Sequence, residues 1–277
     1  MKWIIYTDLD GTLLDFKTYS YKETQGTVEQ LRQMDIPVVF CSSKTRLEQE
    51  VYRKAMDLQF PFIVENGSAI LIPDGFFDFE LSQLDLPQSL TFSQIENYTV
   101  IVLGKSFHEI REVIEGARKK VNIEPKGYKD LTLEEIIQLT SLPSDAAQRA
   151  ASREYSETLL EAETESKSWD QFLEMLNQQH LQCISGGKFH TVMGKGSDKG
   201  KAVQILNKLF RKEYGEIKTV GLGDSANDLP LLNAVGIPFL VQKPSGQWEA
   251  IDHPSIQKIE AIGPQGWNLA VRSLFNF

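Results

Sequence analysis

Residues 3–7, Trp-Ile-Ile-Tyr-Thr, are apolar and β-prone without polar alternation, and the run stops at Asp8-Leu9-Asp10-Gly11. Such a run reads as a strand buried on both faces, which confines the chain to a fold with a covered, parallel sheet. Residues two apart in extended backbone point to the same side, so Asp8 and Asp10 leave the carboxyl end of the strand together. Open α/β sheets bind their ligands at that end. Gly11 lets the chain turn with positive φ, close to whatever is bound. Two carboxylates so placed repel unless a cation or a shared proton relieves them. Taken alone, Asp-x-Asp-Gly could equally be a structural turn or a calcium loop. Thr12, Leu13 and Leu14 add no run of oxygen donors and no Glu closes the loop, which disfavours calcium.

The following residues repeat the strand–helix rhythm. Tyr21 to Met34 carries Val28 and Leu31 on one face and reads as a crossover helix. Ile36 to Cys41 is a second buried strand, ending in Ser42-Ser43-Lys44-Thr45-Arg46, and a helix follows with Leu47, Val51, Ala55 and Leu58 at helical spacing. Phe62-Ile63-Val64 is a third strand, closed by Glu65-Asn66-Gly67, and Ala69 to Ile72 opens a hairpin. This order predicts an α/β fold with a doubly wound parallel sheet.

Between Leu84 and Gly187 the pattern changes, with prolines 73 and 87 on one side and Gly186-Gly187 on the other. A strand at Thr99–Leu103, helices at Phe107–Lys120, Leu133–Thr140 and from Ser168, a polar segment Ser144–Ser152 and a strand at Leu181–Ile184 make an inserted α+β unit. Residues 84–187 are therefore expected as an insert, and 1–83 with 188–277 as the sheet domain. In the second part Phe189–Met193 is read as a strand, Asp198–Arg211 as a helix and Ile217–Leu222 as a buried strand ending in Gly223-Asp224-Ser225-Ala226-Asn227-Asp228. A helix through Leu232 and a strand at Gly236–Val241 follow, and the tail with Trp248, Trp267 and Leu274 is expected on the outside of the sheet.

Composition narrows the partners. A chain of 277 residues with 41% hydrophobic and 24% charged residues is an ordinary globular protein with ample core. A net charge of −9 with no basic block argues against nucleic acid or an anionic membrane as the main partner, while an anionic substrate would need a local cluster of Lys, Arg and metal. No apolar run approaches the roughly 20 residues of a membrane span. Cys41 and Cys183 are far apart, form no metal-spacing motif and read as reduced, buried thiols, so a cytoplasmic location is expected.

Four strand ends now look alike: each apolar run stops at a polar group, namely Asp8 with Asp10, Ser42, the Glu65-Asn66-Gly67 turn, and Asp224 with Asp228. Lys199 opens the helix after Gly194-Lys195-Gly196-Ser197-Asp198. In a doubly wound sheet these ends gather along one edge. Carboxylates, a hydroxyl and an ammonium would then face one crevice, as a phosphate and a divalent cation such as Mg²⁺ require. Each member has a plainer reading: Asp224 or Ser42 as a helix cap, Asp228 and Lys199 as solvated surface charges. Their joint appearance at strand ends argues for the crevice.

These residues resemble the haloacid dehalogenase superfamily of phosphohydrolases. DLDGTLLD is similar to its first motif, Ser42 to its second, Lys199 in SDKGKA to its third and GDSANDLPLL to its fourth, together spanning Tyr6 to Leu232. The insert resembles the α/β cap of the members acting on sugar phosphates. SSKTR, PFIVENGSAI, REYSE and GGKFHTVMG further resemble mannosyl-3-phosphoglycerate phosphatases, in which Arg more often stands at the position of Lys188 and Pro-Phe at Thr158-Leu159. An Arg-to-Lys exchange replaces a bidentate fork by a point charge, which bears on the substrate rather than the reaction.

The resemblance implies Asp8 as nucleophile, forming an aspartyl-phosphate, and Asp10 as general acid and base. It implies Mg²⁺ held by Asp8, Asp224 and the main-chain carbonyl of Asp10, and Ser42 and Lys199 on the phosphoryl oxygens. Asp228, with Asn227 beside it, would support Lys199 or the metal from behind. Expected substrate contacts are Ser42, Lys44, Arg46, Asn66, Arg153, Ser156, Gly187, Lys188 and His190. The expected reaction is hydrolysis of mannosyl-3-phosphoglycerate to mannosylglycerate. Another sugar-phosphate phosphatase, a phosphomannomutase-like transferase, a receiver-type phosphoacceptor and a sensor without catalysis are the alternatives.

Overall fold

The computed structural model describes residues 1–81, 84–160, 167–186, 189–251 and 253–275. Five parallel strands form the central sheet in the order Gln257–Ile262, Ile237–Gln242, Ile217–Gly223, Lys2–Thr7, Val38–Phe40. Lys2–Thr7 lies between two neighbours distant in sequence, with Tyr6 opposite Gly221 on one side and Val39 on the other. The chain leaves this strand toward Val38–Phe40 and returns on its far side as Ile217–Gly223. The order therefore reverses beside Lys2–Thr7, which is where such sheets open a crevice.

The lack of alternation in the first strand has the expected cause. Ile4, Ile5, Tyr6 and Thr7 are all fully buried. Ile5 joins one apolar cluster with Val28, Leu31, Phe40 and Trp267, whereas Ile4 and Tyr6 join another with Leu206, Leu209 and Phe210. Each face of the sheet is thus covered by a helix layer, Lys22–Gln33 and Gly263–Arg272 on one side and Lys199–Tyr214 on the other. Burying each such side chain contributes about 1.5–3 kcal/mol.

Phe62–Val64 joins the parallel sheet through a bridge between Ile63 and Cys41 and also edges an antiparallel sheet with Ala69–Pro73, Tyr98–Val102 and Thr91–Ile95. A third, antiparallel sheet, in the order Ser156–Leu160, Phe189–Gly194, Leu181–Gly186, is backed by helices Phe107–Val121 and Lys167–Gln178. No described helix is long and apolar enough to cross a membrane.

Several expectations need correction. Tyr98–Val102, assigned by sequence to the insert, pairs with Ala69–Pro73 and carries Thr91–Ile95 on its other edge, and Val100, Ile101 and Val102 are buried in the two clusters of the main sheet domain. Phe189–Met193, expected in the main sheet, pairs with both other strands of the insert's sheet. By strand pairing, Tyr98–Val102 thus goes with the hairpin before it and Phe189–Gly194 with Ser156–Leu160 and Leu181–Gly186, across both of the expected boundaries at 84 and 187. The polar segment at 144–152 is a helix, Ser144–Ala151, anchored by buried Ala147 and Ala150. The tail adds strand Gln257–Ile262 and helix Gly263–Arg272, and Trp267 is fully buried with its indole N–H donated to Thr7 Oγ1 at 3.0 Å. Cys41 is buried, while Cys183 is only half-buried; both are free thiols.

Candidate active site

The carboxyl ends of Lys2–Thr7 and Ile217–Gly223 lie side by side, because Asp8 N–H continues the pairing to Leu222 O at 2.9 Å. Asp8 on one strand end and Asp224 on the other are thereby neighbours. Gly11 makes the approach possible: its φ is +76°, and a Cβ there would stand 3.0 Å from Asp224 Oδ2. From the adjoining helix, whose first turn is capped by Asp198 through Lys201 N–H, Lys199 reaches in. Its Nζ donates to Asp8 Oδ1 and to Asp228 Oδ1, each at 2.6 Å. Asp228 in turn accepts at Oδ2 from Asp224 N–H at 3.0 Å and Ser225 N–H at 3.1 Å. That carboxylate braces both the lysine and the loop that carries Asp224.

Charge in this cluster is unbalanced. Asp8, Asp224 and Asp228 each bring a carboxylate oxygen within 4.8 Å of the others, all from buried residues. Lys199 is the one cation bonded to them among the described residues. Burial pushes the Asp8 carboxyl well up despite Lys199, and Asp228, Asp224 and Asp10 add to the rise. Burial and Asp228 raise Asp224 to about 7. Burial works against the Lys199 ammonium, but Asp228 and Asp8 outweigh it and hold its pKa above the usual lysine range. Both oxygens of Asp228 are already bonded, whereas Lys199 takes one oxygen of Asp8, and Asp224 accepts from Thr12 Oγ1 at a long 3.5 Å. An all-oxygen donor set with excess negative charge fits a small hard cation, with Asp8 and Asp224 as its holders.

Asp10 stands on the outer side of this group. Its Oδ2 is 3.0 Å from Lys44 Nζ, and its Oδ1 is buried without a partner. Burial raises its pKa and Lys44 draws it back; with the side chain about a third exposed, solvent moderates both effects. Lys44 also pairs with Glu48 at 3.6 Å and lies over the Tyr19 ring at 4.8 Å. Ser42 is buried at the end of its strand, its Oγ accepting Lys44 N–H at 3.3 Å and its carbonyl accepting Asn66 N–H at 3.0 Å. Asn66 Oδ1 accepts from Asn227 Nδ2 at 3.4 Å, which ties two further strand ends together. Gly67, at φ +89°, fits where a Cβ would come within 2.2 Å of the Asp198 carbonyl, so the turn packs directly on the start of the Lys199 helix.

From the insert, Arg153 donates to Ser43 O at 3.0 Å and to Ser156 Oγ at 2.8 Å. Asp8, Asp10, Ser42, Lys44, Asn66, Arg153, Ser156, Lys199, Asp224, Asn227 and Asp228 are thus linked through one set of contacts. Arg46 is close by but engaged with Glu50, Glu154 and Glu96, as a tie between the insert and the sheet domain. His190 does not join the group. It lies opposite Leu159, on the face of the insert's sheet that the helices cover, with its ring 5.1 Å from that of Trp169 and Nδ1 bonded to Ser185 Oγ at 3.0 Å. Two-residue alternation puts it with Val192 in that apolar layer. Gly187 and Lys188 lie outside the described residues.

Glu65 was not among the expected site residues, although it begins the Glu65-Asn66-Gly67 turn. It is fully buried and accepts from Glu154 N–H at 2.8 Å, Tyr155 N–H at 3.2 Å and Ser156 Oγ. Its signal in the sequence is faint, because all these donors lie about ninety positions away.

Residues 5–247 match the haloacid dehalogenase-like hydrolase family. A glucosyl-3-phosphoglycerate/mannosyl-3-phosphoglycerate phosphatase of Methanococcoides burtonii is 42% identical over 99% of this chain and 97% of its own. A mannosyl-3-phosphoglycerate phosphatase of Pyrococcus horikoshii is 36% identical over 94% and 96%. Among solved structures, a Thermotoga maritima protein superposes with a TM-score of 0.65 at 17% identity over 100% of this chain and 98% of its own, a likeness of fold. With four polar strand ends gathered at one edge of the sheet, and with relatives of this identity over its whole length, the chain belongs to the haloacid dehalogenase-like hydrolase family and is a phosphoric monoester hydrolase.

Proposed function

We propose that the protein is a Mg²⁺-dependent phosphatase of phosphorylated glycosides that hydrolyses mannosyl-3-phosphoglycerate to mannosylglycerate and phosphate. The observation that carries the substrate is the whole-length identity to phosphatases named for that ester. Two such relatives, at 42% and 39%, are named for the glucosyl ester as well, which supports glucosyl-3-phosphoglycerate as a second substrate in this reading.

In this reading an oxygen of Asp8 attacks phosphorus while Asp10 gives its proton to the departing ester oxygen, leaving an aspartyl-phosphate and the free glycoside. Asp10 then takes a proton from water, whose oxygen attacks phosphorus and returns Asp8 as carboxylate. Ser42 and Lys199 hold the phosphoryl oxygens, and the Lys199 bond to Asp8 Oδ1 aligns the attacking group. Asp8, Asp224 and the Asp10 main-chain carbonyl would hold Mg²⁺, which supplies charge neutralisation between the carboxylate and the phosphoryl group. Asp228, with Asn227, positions Lys199 and the Asp224 loop. Lys44, Asn66, Arg153 and Ser156 contact the glycoside side of the substrate, and Gly187 with Lys188 are assigned there on sequence grounds alone. The insert acts as the cap that shields the phosphoryl group from bulk water.

The test is phosphate release, with Mg²⁺, from mannosyl- and glucosyl-3-phosphoglycerate, sucrose phosphate and hexose phosphates. A clear preference for the phosphoglycerate esters is expected. Preference for plain hexose phosphates would remove the narrower substrate, and conserved total ester phosphate would replace hydrolysis by a mutase reaction.

A further inference from the structure

We propose that Glu65 is a positioning residue for substrate recognition: it fixes the Arg153–Ser156 segment of the insert against the Ser42–Thr45 loop and so sets Arg153 beside the phosphoryl site. The proposal rests on the sugar-phosphate reading above and concerns which part of the molecule reads the group beyond the phosphate.

Glu65 and Asn66 both adopt positive φ, +48° and +59°, followed by Gly67 at +89°. Asn and Gly accept that region readily, but Glu does not, and such a conformation costs on the order of 1–3 kcal/mol. The surrounding bonds hold it there. Through its main chain the turn is joined to the phosphate loop, by Glu65 N–H to Lys44 O at 3.1 Å and Asn66 N–H to Ser42 O at 3.0 Å. Through its side chain the same residue grips the insert. One carboxylate receives Glu154 N–H, Tyr155 N–H and the Ser156 hydroxyl, and lies 3.5 Å from Arg153 Nε.

A purely structural tie would need no guanidinium, since Tyr155 already packs into the main core and Thr45 Oγ1 already bonds Arg149 O at 2.9 Å. Arg153 is instead clamped from three sides, by Glu65, by Ser156 Oγ and by Ser43 O. Its Nε and Nη2 are used in that clamp, and Nη1 takes part in none of these bonds. A fork oriented in this way, one residue from Ser42, suits an acceptor on the leaving group such as a carboxylate or a sugar hydroxyl. A small phosphoester that fills only the phosphoryl site would not reach it.

The experiment compares Glu65→Gln, which keeps the shape and one acceptor oxygen, with Arg153→Met and the double variant. Each is assayed on mannosyl-3-phosphoglycerate and on p-nitrophenyl phosphate, with thermal midpoints measured alongside. The expected result is a loss of kcat/KM at least tenfold larger on the glycoside ester than on p-nitrophenyl phosphate, carried mainly by KM. The double variant should lose no more than Arg153→Met alone, because both changes release the same guanidinium. Equal losses on both esters, or losses that multiply in the double variant, would overturn the proposal. The unaltered enzyme reports separately on the substrate: if it prefers another sugar phosphate, the same ratio is taken with that ester.

Discussion

The Lys199 ammonium and the Asp228 carboxylate meet at 2.6 Å with both side chains shut off from solvent. Removing one partner of such a buried pair strands the other, at a cost of ~3–5 kcal/mol. Asp228→Ala is expected to lose stability in that range in urea unfolding. It should also lose most turnover, because the Asp224 and Ser225 N–H groups lose their acceptor and the Asp224 loop is released.

Asp8→Asn should abolish phosphate release by at least about a thousandfold, since an amide cannot form the acyl phosphate. Far-UV circular dichroism should be unchanged. Turnover surviving in this variant would reject the nucleophile assignment.

Chelation should silence the enzyme reversibly. EDTA is expected to remove turnover, and Mg²⁺ to restore it. A cation held by Asp8 and Asp224 also favours the folded state, by about 2.7 kcal/mol at a hundredfold excess over Kd. Differential scanning calorimetry should show a rise in Tm with Mg²⁺ that Asp224→Asn abolishes; an unshifted Tm in the unaltered protein would count against the site.

Asp130 gives the insert a pH-dependent brace. Burial alone would raise its pKa, but hydrogen bonds from Arg118, Arg111 and Gly127 N–H outweigh that and hold it well below the usual carboxylate range. A depressed pKa stabilises the fold above the unfolded value of about 3.9, and the contribution fades as pH falls toward the folded value. Asp130→Asn should therefore cost about 2 kcal/mol near neutral pH. The gap to the unaltered protein should close progressively below about pH 4. A gap independent of pH would refute it.

Gly67→Ala is expected to impair activity more than an average surface change. The added methyl would meet the Asp198 carbonyl at 2.2 Å and the Lys199 N–H at 2.6 Å, so the helix that presents Lys199 must move. A variant with unaltered kcat would show that the helix start has slack.

The parts of this molecule that could be read from sequence are those where burial is uniform. Ile4–Thr7 and Thr219–Leu222 announce themselves because both faces of their strands are covered, and their polar ends then mark the site. Gln257–Ile262 and Thr91–Ile95 escaped notice because they are mostly exposed edges with mixed residues. Phe189–Met193 was legible as a strand, but a two-residue period does not say which sheet will receive it. For His190, likewise, chemistry suggested a substrate contact, and only the register shows that its ring lies against Trp169. Glu65 was legible as part of a strand-end turn, but its role was not, because its partners are supplied by a distant part of the chain.

The strand that carries Asp8 is made well before its neighbour on one side, Ile217–Gly223, with the whole insert between them. Between the two, the nascent protein has an apolar strand edge without its partner and lacks the Asp224 end of the site. Such long-range pairing slows folding and leaves apolar surface exposed until residues 217–224 emerge. Activity thus arrives late and all at once, so a prematurely terminated product is inert rather than a loosely controlled hydrolase.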